Sequence, residues 1–556
     1  MKSYRVRERA HEDLLTDLLY ARGITDTQAQ QKFLNPNFEE DSHDPFLLPD
    51  MAKAVERLWL AQEKGEKVAV WSDYDADGLP AGVMLSQFLR DVGVDVVHHI
   101  PHRNNDGFGL NETGIAALAE QGITVMITAD CGTTDVEQMS FAKTKGIDTI
   151  VTDHHIVSTL ETSAFALINP HRPDSTYPFD GLCGGGVAWK LVQGMLKHRR
   201  ASGKPFDYAE GREKWLLDLV GIGTLSDMVP LVDENRMLAH FGLTVMRRAR
   251  RPGLRALLQL LKIQPMTLTE DDVGFMISPR INAASRMGTP TTAARLLAAE
   301  EGEQANALAR ELQALNDERK SLVAVTTKEA NKKLAEQSTP SPIIVLGNPN
   351  WRPGILGLVA SALVETHQKP VFLWGREGGE TLKGSCRSDG VVNIVACMQG
   401  AAEVFADYGG HHGAGGFSLT QEHAHELPSK LEQAYEALRS DTAGQIEVVV
   451  DRELELAELS HALKQVQKLA PFGVGNTKPL FILPSVQIGA IKTFGKTQNH
   501  LGVTLVKDMA RAEAVAFFSG TNSFQKPIVS GMRADIIGHV ELDWRNQPRI
   551  RIVDIL

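Results

Sequence analysis

The fold is constrained most by a repeated pattern in which a short apolar segment is followed by acidic or imidazole side chains. Residues 67–71, 94–100, 124–129 and 147–152 are each typical of a buried strand, and helical segments lie between them. Strands that alternate with helices in this way indicate βαβ units. The pattern therefore predicts an α/β fold with a doubly wound parallel sheet.

Polar side chains directly follow three of these strands. In an open parallel sheet, ligands bind beyond the carboxyl ends of the strands, so we expect these side chains to converge at one edge. A further carboxylate, Asp227, ends a predicted apolar helix over residues 216–225. The converging groups are Asp73, Asp75 and Asp77 after the first strand, Asp130 after the third, and Asp153, His154 and His155 after the fourth.

This many carboxylates can share one site in ionised form only if cations neutralise them. Oxygen and imidazole ligands without a cluster of thiolates suit Mn²⁺ or Mg²⁺ better than structural zinc. Two such cations, roughly 3.5–4 Å apart, would clamp a phosphodiester and activate a water molecule. A single aspartate after a strand is usually a turn or cap residue. Because three acidic motifs follow three strands in order, a metal site is favoured over coincidence.

Changes in composition divide the chain into five predicted parts. A helical segment covers residues 1–65, and the α/β domain with the acidic motifs covers 66–290. Residues 291–337 are rich in Ala, Leu and Glu and predict a long connecting helix or a helical pair. A second α/β domain over 338–440 begins at a proline-rich boundary, and residues 445–556 predict a small β-barrel.

Charge and composition restrict the classes of partner and location. Lys and Arg number 58 against 69 Asp and Glu, so the surface of net charge −11 is not positive throughout. A local basic groove for nucleic acid is compatible with this balance. The sequence has no apolar run of roughly 18 residues that would span a membrane, and its N-terminus lacks the apolar core of a signal peptide. None of the four cysteines forms a C-x-x-C pair. We expect a cytoplasmic protein with no membrane partner.

The acidic motifs resemble those of a known enzyme family. Residues 73–78, Asp130, residues 153–155 and Asp227 are similar to the four motifs of the DHH phosphoesterase superfamily. More of the chain resembles one branch, the RecJ single-stranded-DNA-specific exonucleases. The matching segments are 101–103, 106–110 and 278–284 in a DHH domain, 351–357, 384–388 and 409–411 in a DHH-associated domain, and 471–476 with the β-rich tail in an OB-fold.

The resemblance implies a 5′→3′ exonuclease that hydrolyses phosphodiester bonds of single-stranded DNA in DNA repair and recombination. It implies two divalent cations, Mn²⁺ or Mg²⁺, for the activation of water, and a helicase and a single-strand-binding protein as partners besides the DNA. The implied metal ligands are Asp75, Asp77, Asp130, His154, His155 and Asp227. The implied catalytic set adds Asp73 and Asp153, which would ligate the metals or support their ligands, and His411, which could donate to the scissile phosphate.

The resemblance also implies a binding pocket for the 5′-terminal phosphate of the DNA. Arginine recognises phosphate oxygens through a planar, bidentate guanidinium, and a serine on a tight turn adds hydroxyl and backbone donors. The implied pocket residues are Arg103, Arg280, Ser385 and Arg387.

The predicted barrel supplies further candidate contacts to DNA. Phe494 and Trp544 are candidate stacking platforms for bases. OB-folds also need aromatic residues in their core. The alternative, to which we give equal weight, is that both rings pack in the core and that the lysines are only solvated. The candidate backbone contacts are Lys492, Lys496, His500, Lys507 and Arg545.

Several positions depart from the family pattern, although no implied metal ligand and no implied pocket arginine is lost. A thiol at position 131, where asparagine is usual, could bind a thiophilic ion beside the metals. We expect hydrolysis to be retained. Two alternatives remain open: a DHH phosphodiesterase that acts on short oligonucleotides or cyclic dinucleotides, and a non-catalytic single-strand-binding scaffold. The substituted positions are Cys131, Ser285, Cys386, His412 and Gly415.

Overall fold

A computed structural model describes residues 3–103, 107–157, 162–337, 341–376, 381–439, 447–495, 498–543 and 545–556. The chain forms two compact units. The first unit comprises Met1–Ser42, Met228–His240 and Gly444–Leu556, and the second comprises His43–Asp227 and Phe241–Ala443. Each unit has its own sheets and its own apolar core.

The β-strands occur from the first described residues to the last. They are β1 (Ser3–Val6), β2 (Lys67–Ser72), β3 (Asp95–His99), β4 (Ile123–Ala129), β5 (Asp148–Thr152), β6 (Ala166–Ile168), β7 (Ile344–Gly347), β8 (Val371–Gly375), β9 (Leu382–Arg387), β10 (Asp407–His411), β11 (Ala414–Leu419), β12 (Glu447–Val450), β13 (Arg452–Glu453), β14 (Phe481–Phe494), β15 (His500–Lys507), β16 (Ala510–Ala516), β17 (Arg533–Leu542) and β18 (Pro548–Ile555).

The α-helices lie between these strands. They are α1 (Leu14–Tyr20), α2 (Thr27–Leu34), α3 (Met51–Lys64), α4 (Gly78–Asp91), α5 (Glu112–Glu120), α6 (Val136–Thr144), α7 (Gly184–Ser202), α8 (Leu217–Ser226), α9 (Asp233–Arg247), α10 (Pro252–Leu261), α11 (Glu270–Asp272), α12 (Ser278–Arg286), α13 (Pro290–Ala298), α14 (Gly302–Ala335), α15 (Pro353–His367), α16 (Ile394–Gln399), α17 (Leu427–Leu438) and α18 (Leu459–Leu469). No helix in the described part of the chain is both long enough and apolar enough to cross a bilayer.

The second unit contains the parallel sheet that the sequence predicts. Its strand order is β3-β2-β4-β5-β6, and every neighbouring pair is parallel. The four predicted strands are confirmed within one residue at each end. The sequence pattern misses β6, because a strand of three residues carries too little periodicity to be recognised.

Helices cover both faces of this sheet. Ala69 and Trp71 pack in one apolar cluster with residues of α5 and α6. The alternate residues, Val68 and Val70, are fully buried outside that cluster, and α4 contacts the strand that carries them. Since side chains alternate across a strand, the two sets point to opposite faces. This arrangement explains why the strands read as continuous apolar runs, and it confirms the doubly wound fold.

The predicted connecting helix is a helical pair. It consists of α13 and the much longer α14. The two helices are separated because Ala299 and Glu301 both have extended backbone conformations. Packing between α14 and α10, α12 and α15 ties the pair to the rest of the second unit.

The second α/β part of this unit is built on a mixed sheet of order β10-β11-β9-β8-β7, in which only β7 and β8 are parallel. The glycine-rich segment 409–416 supplies parts of both strands of a hairpin in which His411 pairs with Ala414. Tight packing explains one of its glycines: a Cβ at Gly415 would lie 2.8 Å from the carbonyl oxygen of Gly409 and 3.0 Å from Sγ of Cys386.

In the first unit, the N-terminal segment is not purely helical, which corrects the expectation for residues 1–65. Strand β1 pairs in parallel with β12, so that Ser3 lies opposite Glu447. A strand whose partner lies this far along the chain leaves no local signal in the sequence. The helical part of the segment packs Leu14, Leu18 and Leu19 into the core of the C-terminal barrel.

The predicted OB-like barrel is confirmed. Strands β14, β15, β16, β18 and β17 follow one another around the sheet, and β17 pairs with β14 to close it. The sequence reading misses α18, which precedes the barrel. This helix buries Leu459, Leu463 and Val466 in the barrel core.

A close contact between two helices positions the segment that carries Asp227, the residue that follows α8. Gly221 of α8 lies against Gly242 of α9, and a Cβ added at Gly242 would lie 2.6 Å from Cα of Gly221. The nearest atom to the added Cβ belongs to the backbone, so there is no flexible side chain that could move aside. The helices therefore approach as closely as they do only because both positions are glycine.

We predict that Gly242→Ala destabilises the protein by about 1–3 kcal/mol, because the added methyl group forces the helices apart. Thermal unfolding of the full chain measures the effect. The matched control is Gly302→Ala at the start of α14, where an added Cβ meets nothing within 4 Å. Equal melting temperatures for the two variants would contradict the prediction.

Candidate metal centre

Three aspartates lie one residue beyond neighbouring strands of the parallel sheet. The backbone amides of Asp73, Asp130 and Asp153 still donate to carbonyl oxygens of the adjacent strand, at 3.1, 3.0 and 3.2 Å. The ladder of hydrogen bonds therefore continues past the strand ends and holds the three residues in register. As the sequence pattern predicts, their carboxylates meet at one edge of the sheet.

The loop after β2 holds two further aspartates. The carboxylate of Asp75 accepts hydrogen bonds from the amides of Asp77 (2.8 Å) and Gly78 (3.0 Å), where α4 begins. The carboxylate of Asp77 accepts from the amides of Gly184 (2.7 Å) and Gly185 (2.9 Å), the first residues of α7. The amides at a helix N-terminus carry partial positive charge, which stabilises the Asp77 carboxylate.

Three glycines make room for these carboxylates. A Cβ at Gly184 would collide with the side chain of Asp130, one at Gly223 would collide with that of Asp77, and one at Gly185 would lie 2.9 Å from Oδ1 of Asp77. No local pattern in the sequence predicts a role for these glycines. The run of three glycines after Cys183 is visible in the sequence, but the carboxylates that require them are distant along the chain.

The structure brings the predicted ligand residues together in overlapping groups. In each group, one ligand atom from every member lies within 4.8 Å of the others. His154 belongs to two groups, and Asp130 also belongs to two. All six predicted ligands and Asp73 occur in them, whereas Asp153 and His411 do not. The groups are Asp130, His154 and His155; Asp77, His154 and Asp227; and Asp73, Asp75 and Asp130.

Burial and mutual repulsion raise the pKa of the carboxylates. Burial, and then the charge of Asp75, raises the pKa of Asp77 to about 7. Burial, and then the charge of Asp77, raises the pKa of Asp227 to about 8. Burial and neighbouring aspartates likewise hold the pKa of Asp73 and Asp130 well above its usual range. The protein without a cation therefore favours protons on these groups, and a cation would replace them.

The two histidines differ in charge. Burial, and then the charge of His155, lowers the pKa of His154 to about 4, so the ring is neutral near pH 7 and has a lone pair for a metal. Its Nε2 lies 3.2 Å from Oδ1 of Asp130 and 3.6 Å from Oδ2 of Asp227. Burial opposes the charged form of His155, but its hydrogen bond to Asp153 and the negative charges of the surrounding aspartates together outweigh burial and raise its pKa to about 9.

Asp153 supports the site from behind the ligands. Its Oδ1 lies 2.7 Å from Nδ1 of His155, and its carboxylate also accepts from the amides of Thr133 (2.9 Å) and His154 (2.8 Å). Burial acts to raise the pKa of Asp153, but these hydrogen bonds and the charge of His155 hold it below its usual range. A carboxylate on Nδ1 orients the ring and leaves Nε2 for a metal.

Two buried carboxylate oxygens at this edge have no hydrogen-bond partner among the residues that the structure describes. They are Oδ1 of Asp73 and Oδ1 of Asp130. Unpaired buried oxygens carry a desolvation cost, and each such atom in a folded protein needs an explanation. A divalent cation that prefers oxygen ligands would satisfy both, so the residues fit such an ion.

The cysteines take no part in the ligand groups. Cys131 packs in the apolar cluster on one face of the sheet, and burial raises the pKa of its thiol well above the usual range, which corrects the idea of a thiophilic ion there. Cys386 also points into an apolar core, where its Sγ lies 3.8 Å from Sδ of Met398. These two departures from the family pattern are therefore packing changes.

Positive charge gathers in the same unit. Arg103 lies over the ring of Tyr74, with 5.0 Å between its guanidinium carbon and the ring centroid. Burial, and then the charges of Arg103, Arg319 and Arg387, lowers the pKa of Arg286 to about 9. Three arginines thus lie close enough to Arg286 to disfavour its charge. A bound anion would relieve that repulsion.

The predicted phosphate-pocket residues differ in burial and in the hydrogen bonds that they already make. Ser385 and Arg387 lie two residues apart on β9 and therefore share one face of the sheet. Arg280 is buried, and it already donates to Oε1 of Gln313 (2.8 Å) and to the carbonyl oxygen of Met276 (2.6 Å). Two of its donor groups are thus engaged within the protein.

Two arginines of this cluster are missing from the predicted pocket. Arg286 ends α12 and donates to the carbonyl oxygen of Gly354 at 2.9 Å. Arg286 lies two residues beyond the matching segment 278–284, and this proximity is the signal in the sequence that could have identified it. Arg319 lies within α14, and nothing in the local sequence distinguishes it from a solvated helix residue.

His411 lies on β10 and is exposed. Its Nδ1 accepts a hydrogen bond from the amide of Gly413 at 3.2 Å across the hairpin turn. The structure gives it no place in the ligand groups of the described residues, so its role at the scissile phosphate stays a prediction.

The barrel of the first unit carries an exposed aromatic cluster. Phe494 is 37 % exposed and lies 5.2 Å from the ring of His500, and both rings contact Phe517. Phe518, which is 81 % exposed, packs edge-on against His500. Phe494 is therefore not a core residue. Phe517 and Phe518 were not predicted, because the loop after β16 has no strand pattern.

The predicted basic contacts on the barrel have different surroundings. Lys492 is exposed on β14. Lys507 is engaged by Glu455 (2.7 Å) and by the carbonyl oxygen of Pro484 (2.9 Å), so it is not a free contact for DNA. Arg545 pairs with Asp543 at 3.2 Å. Two remaining predictions, Lys496 and Trp544, lie outside the described residues.

Three known family models match successive parts of the chain. The N-terminal domain of the DHH family matches residues 67–224, the DHHA1 domain matches residues 340–441, and the RecJ OB domain matches residues 450–553. The acidic residues that follow the strands fall in the DHH match, and Asp227 lies three residues beyond it. Ser385 and Arg387 fall in the DHHA1 match, and the aromatic cluster falls in the OB match.

Relatives and solved structures agree with these matches. The chain is 32 % identical to the single-stranded-DNA-specific exonuclease RecJ of Bacillus subtilis, over 97 % of this chain and 67 % of that protein. It is 30 % identical to RecJ of Haemophilus influenzae, over 93 % of this chain and 91 % of that protein. The match to the structure of RecJ from Thermus thermophilus in complex with Mn²⁺ covers all of this chain and 79 % of the Thermus chain. The TM-score is 0.81 and the sequence identity is 27 %. The chain therefore belongs to the RecJ family of single-stranded-DNA-specific exonucleases.

Proposed function

We propose that this protein is a metal-dependent exonuclease that removes nucleotides from single-stranded DNA in the 5′→3′ direction. The observation that carries the proposal is the set of overlapping carboxylate and imidazole groups at one edge of the parallel sheet. Membership of a family whose curated members are named single-stranded-DNA-specific exonucleases supports the substrate class. We infer a role in DNA repair and recombination, beside a helicase and a single-strand-binding protein, from family membership alone.

The ligand groups suit two divalent cations, Mn²⁺ or Mg²⁺, and related structures have been solved in complex with each of these ions. Bound cations would neutralise the carboxylates, polarise the scissile phosphate and lower the pKa of water. The residues that would hold them are Asp75, Asp77, Asp130, His154, His155 and Asp227, with Asp73 adjoining.

The chain's own residues prepare this site before any ion binds. Asp153 fixes the ring of His155, and the first amides of α7 fix the carboxylate of Asp77. A site whose ligands are already oriented loses little entropy when an ion binds, and it holds the scissile phosphate in a defined position.

We infer the direction of cleavage from the arginine cluster. Arg103 and Arg286 interact electrostatically with Asp73 and Asp75, so the positive cluster lies within range of the acidic edge. A 5′-terminal phosphate held by Arg103, Arg286 and Arg387 would place the adjoining phosphodiester bond at the cations. Pairing of several guanidinium groups with phosphate oxygens is strong and directional.

We also propose that the barrel of the first unit binds single-stranded DNA through its aromatic cluster. Exposed rings offer faces on which bases stack, and stacking contributes about 1–3 kcal/mol per base. Phe494, Phe517 and Phe518 supply such faces, with Lys492 on the same strand as Phe494 to contact the DNA backbone.

One assay separates this function from the two alternatives. A 5′-phosphorylated strand of several tens of nucleotides is labelled at its 3′ end, Mn²⁺ or Mg²⁺ is added, and the products are followed with time. We expect a ladder of shortening products. Cleavage of di- to tetranucleotides alone would indicate a DHH enzyme for short substrates, and binding without cleavage would indicate a scaffold.

We predict that Asp130→Ala lowers the rate of cleavage by about 10³-fold or more, because it removes a carboxylate shared by two ligand groups while single-stranded DNA still binds. The ladder assay and a filter-binding assay measure the two effects. Asp207→Ala, at an exposed position outside the ligand groups, is the matched control. Full activity in the Asp130 variant would contradict the metal site.

We predict that the metal-free protein becomes less stable between pH 6 and pH 8.5. The pKa values of Asp77 and Asp227 are raised to about 7 and 8, so the folded state binds more protons than the unfolded state, and stability falls as pH rises through these values. Mg²⁺ competes with the same protons, so it should raise the melting temperature more at pH 8.5 than at pH 6. Thermal unfolding in EDTA and in Mg²⁺ tests this; an equal increase at both pH values would refute it.

We predict that Arg387→Ala reduces the preference for a 5′-phosphorylated strand about tenfold, since one charged hydrogen-bonding partner of the phosphate is lost. The ratio of cleavage rates for phosphorylated and unphosphorylated strands measures the preference. Arg310→Ala, an exposed change on α14, is the control. An unchanged ratio in the Arg387 variant would exclude its role at the terminal phosphate.

A further inference from the structure

The second unit contains a cleft of about 670 Å³ whose lining includes none of the ligand residues described above. It is bounded by α4, α13, the 3-10 helix Arg212–Leu216 and the segment that joins α9 to α10. Clefts of roughly 300–1,000 Å³ are the size that binds cofactors and other small molecules.

The charge of the cleft favours an anion. Its lining includes five arginines but only three carboxylates. Asp218 accepts two hydrogen bonds from Arg251, at 2.7 and 3.0 Å, and Asp91 pairs with Arg212 at 2.6 Å. The remaining arginines have no ion-pair partner among the described residues. They are Arg90, Arg250 and Arg295, and all three are exposed.

Two buried hydroxyl groups also line the cleft. Ser86 is 2 % exposed and Tyr208 is 6 % exposed. Neither Oγ of Ser86 nor the phenol oxygen of Tyr208 has a hydrogen-bond partner in the described part of the protein. Buried polar groups are nearly always paired, so two unpaired hydroxyls on one cavity wall indicate a polar ligand that reaches them.

An aromatic ring completes the lining. Trp215 is 41 % exposed, and the guanidinium carbon of Arg250 lies 4.1 Å from its ring centroid. A large exposed indole beside unpaired arginines offers a stacking surface for a base, with the positive charge for a phosphate close by.

We propose that this cleft is a binding site for a nucleoside monophosphate. The phosphate binds the arginines that lack acidic partners, the base stacks beside Trp215, and the ligand's polar edge pairs with Ser86 and Tyr208. A DNA strand lying on the surface would contact the exposed arginines but would leave the buried hydroxyls unpaired, which is why a small ligand is favoured. The proposed nuclease reaction releases molecules of this class, but binding at the cleft does not require that reaction.

The test is calorimetric titration of the full chain with dAMP in EDTA. The Asp130→Ala and Arg387→Ala variants are titrated in parallel, so that binding at the acidic edge or at the proposed 5′-phosphate pocket can be recognised. We expect one site that persists in both variants, and at least a tenfold loss of affinity at that site in Arg295→Glu. Arg310→Glu, a change of the same kind on an exposed part of α14, is expected to leave binding unchanged.

A second variant tests the cavity wall. Ser86→Ala removes an unpaired buried hydroxyl, so we expect the melting temperature of the free protein to stay the same or rise while the affinity for dAMP falls several-fold. A purely structural role for Ser86 would instead lower the melting temperature and leave the affinity unchanged.

Four outcomes would overturn the proposal. They are no binding of dAMP at millimolar concentration, binding that Asp130→Ala or Arg387→Ala abolishes and Arg295→Glu does not, equal affinity for inorganic phosphate and dAMP, and displacement of dAMP by a single-stranded oligonucleotide that depends on Arg295. The last result would assign the cleft to a DNA strand. Because every titration is made without catalysis, loss of the nuclease activity in other experiments would bear on the proposed function and not on this site.

Discussion

Repulsion between buried carboxylates is the constraint on which the rest of the structure depends. Aspartates packed at one sheet edge in a medium of low dielectric lose solvation and repel one another, and both effects raise their pKa values. The protein maintains the arrangement by continuing the sheet hydrogen bonds past the strand ends, by pointing the first amides of α7 at Asp77, and by placing glycine at Gly184 and Gly223, where a side chain would collide with a carboxylate. These features hold the carboxylates in the positions that a doubly charged cation requires.

The arginine cluster, which consists of Arg103, Arg286, Arg319 and Arg387, carries the charge opposite to that of the acidic edge. Positive groups that repel one another in the free protein gain most when a phosphate enters, as the carboxylates gain most when a cation enters. Ser385 and Arg387 face this cluster from one side of β9, while Cys386 faces the core on the other. A cysteine in place of glycine therefore fits between two residues that the family resemblance places at the proposed phosphate pocket.

The sequence predicts the parts of this protein that depend on local pattern. Apolar strands that end in aspartate identify the sheet and its acidic edge, because strand periodicity and parallel connection leave few other arrangements. The resemblance to a known family then implies which six residues are candidate ligands. Contacts between distant segments leave no such trace. Gly184 and Gly223 matter only beside Asp130 and Asp77, and Arg319 matters only beside Arg286. Strand β1 likewise depends on a partner that local pattern does not reveal.

The pairing of β1 with β12 also bears on the order in which the protein is made. Ser3 leaves the ribosome more than four hundred residues before Glu447, its partner in the sheet. The whole of the second unit lies between them, so it can fold while the first unit still lacks the barrel strands. The early leucines of α1, which end in the barrel core, stay without that core throughout this time. Completion of the first unit is therefore a late event in synthesis.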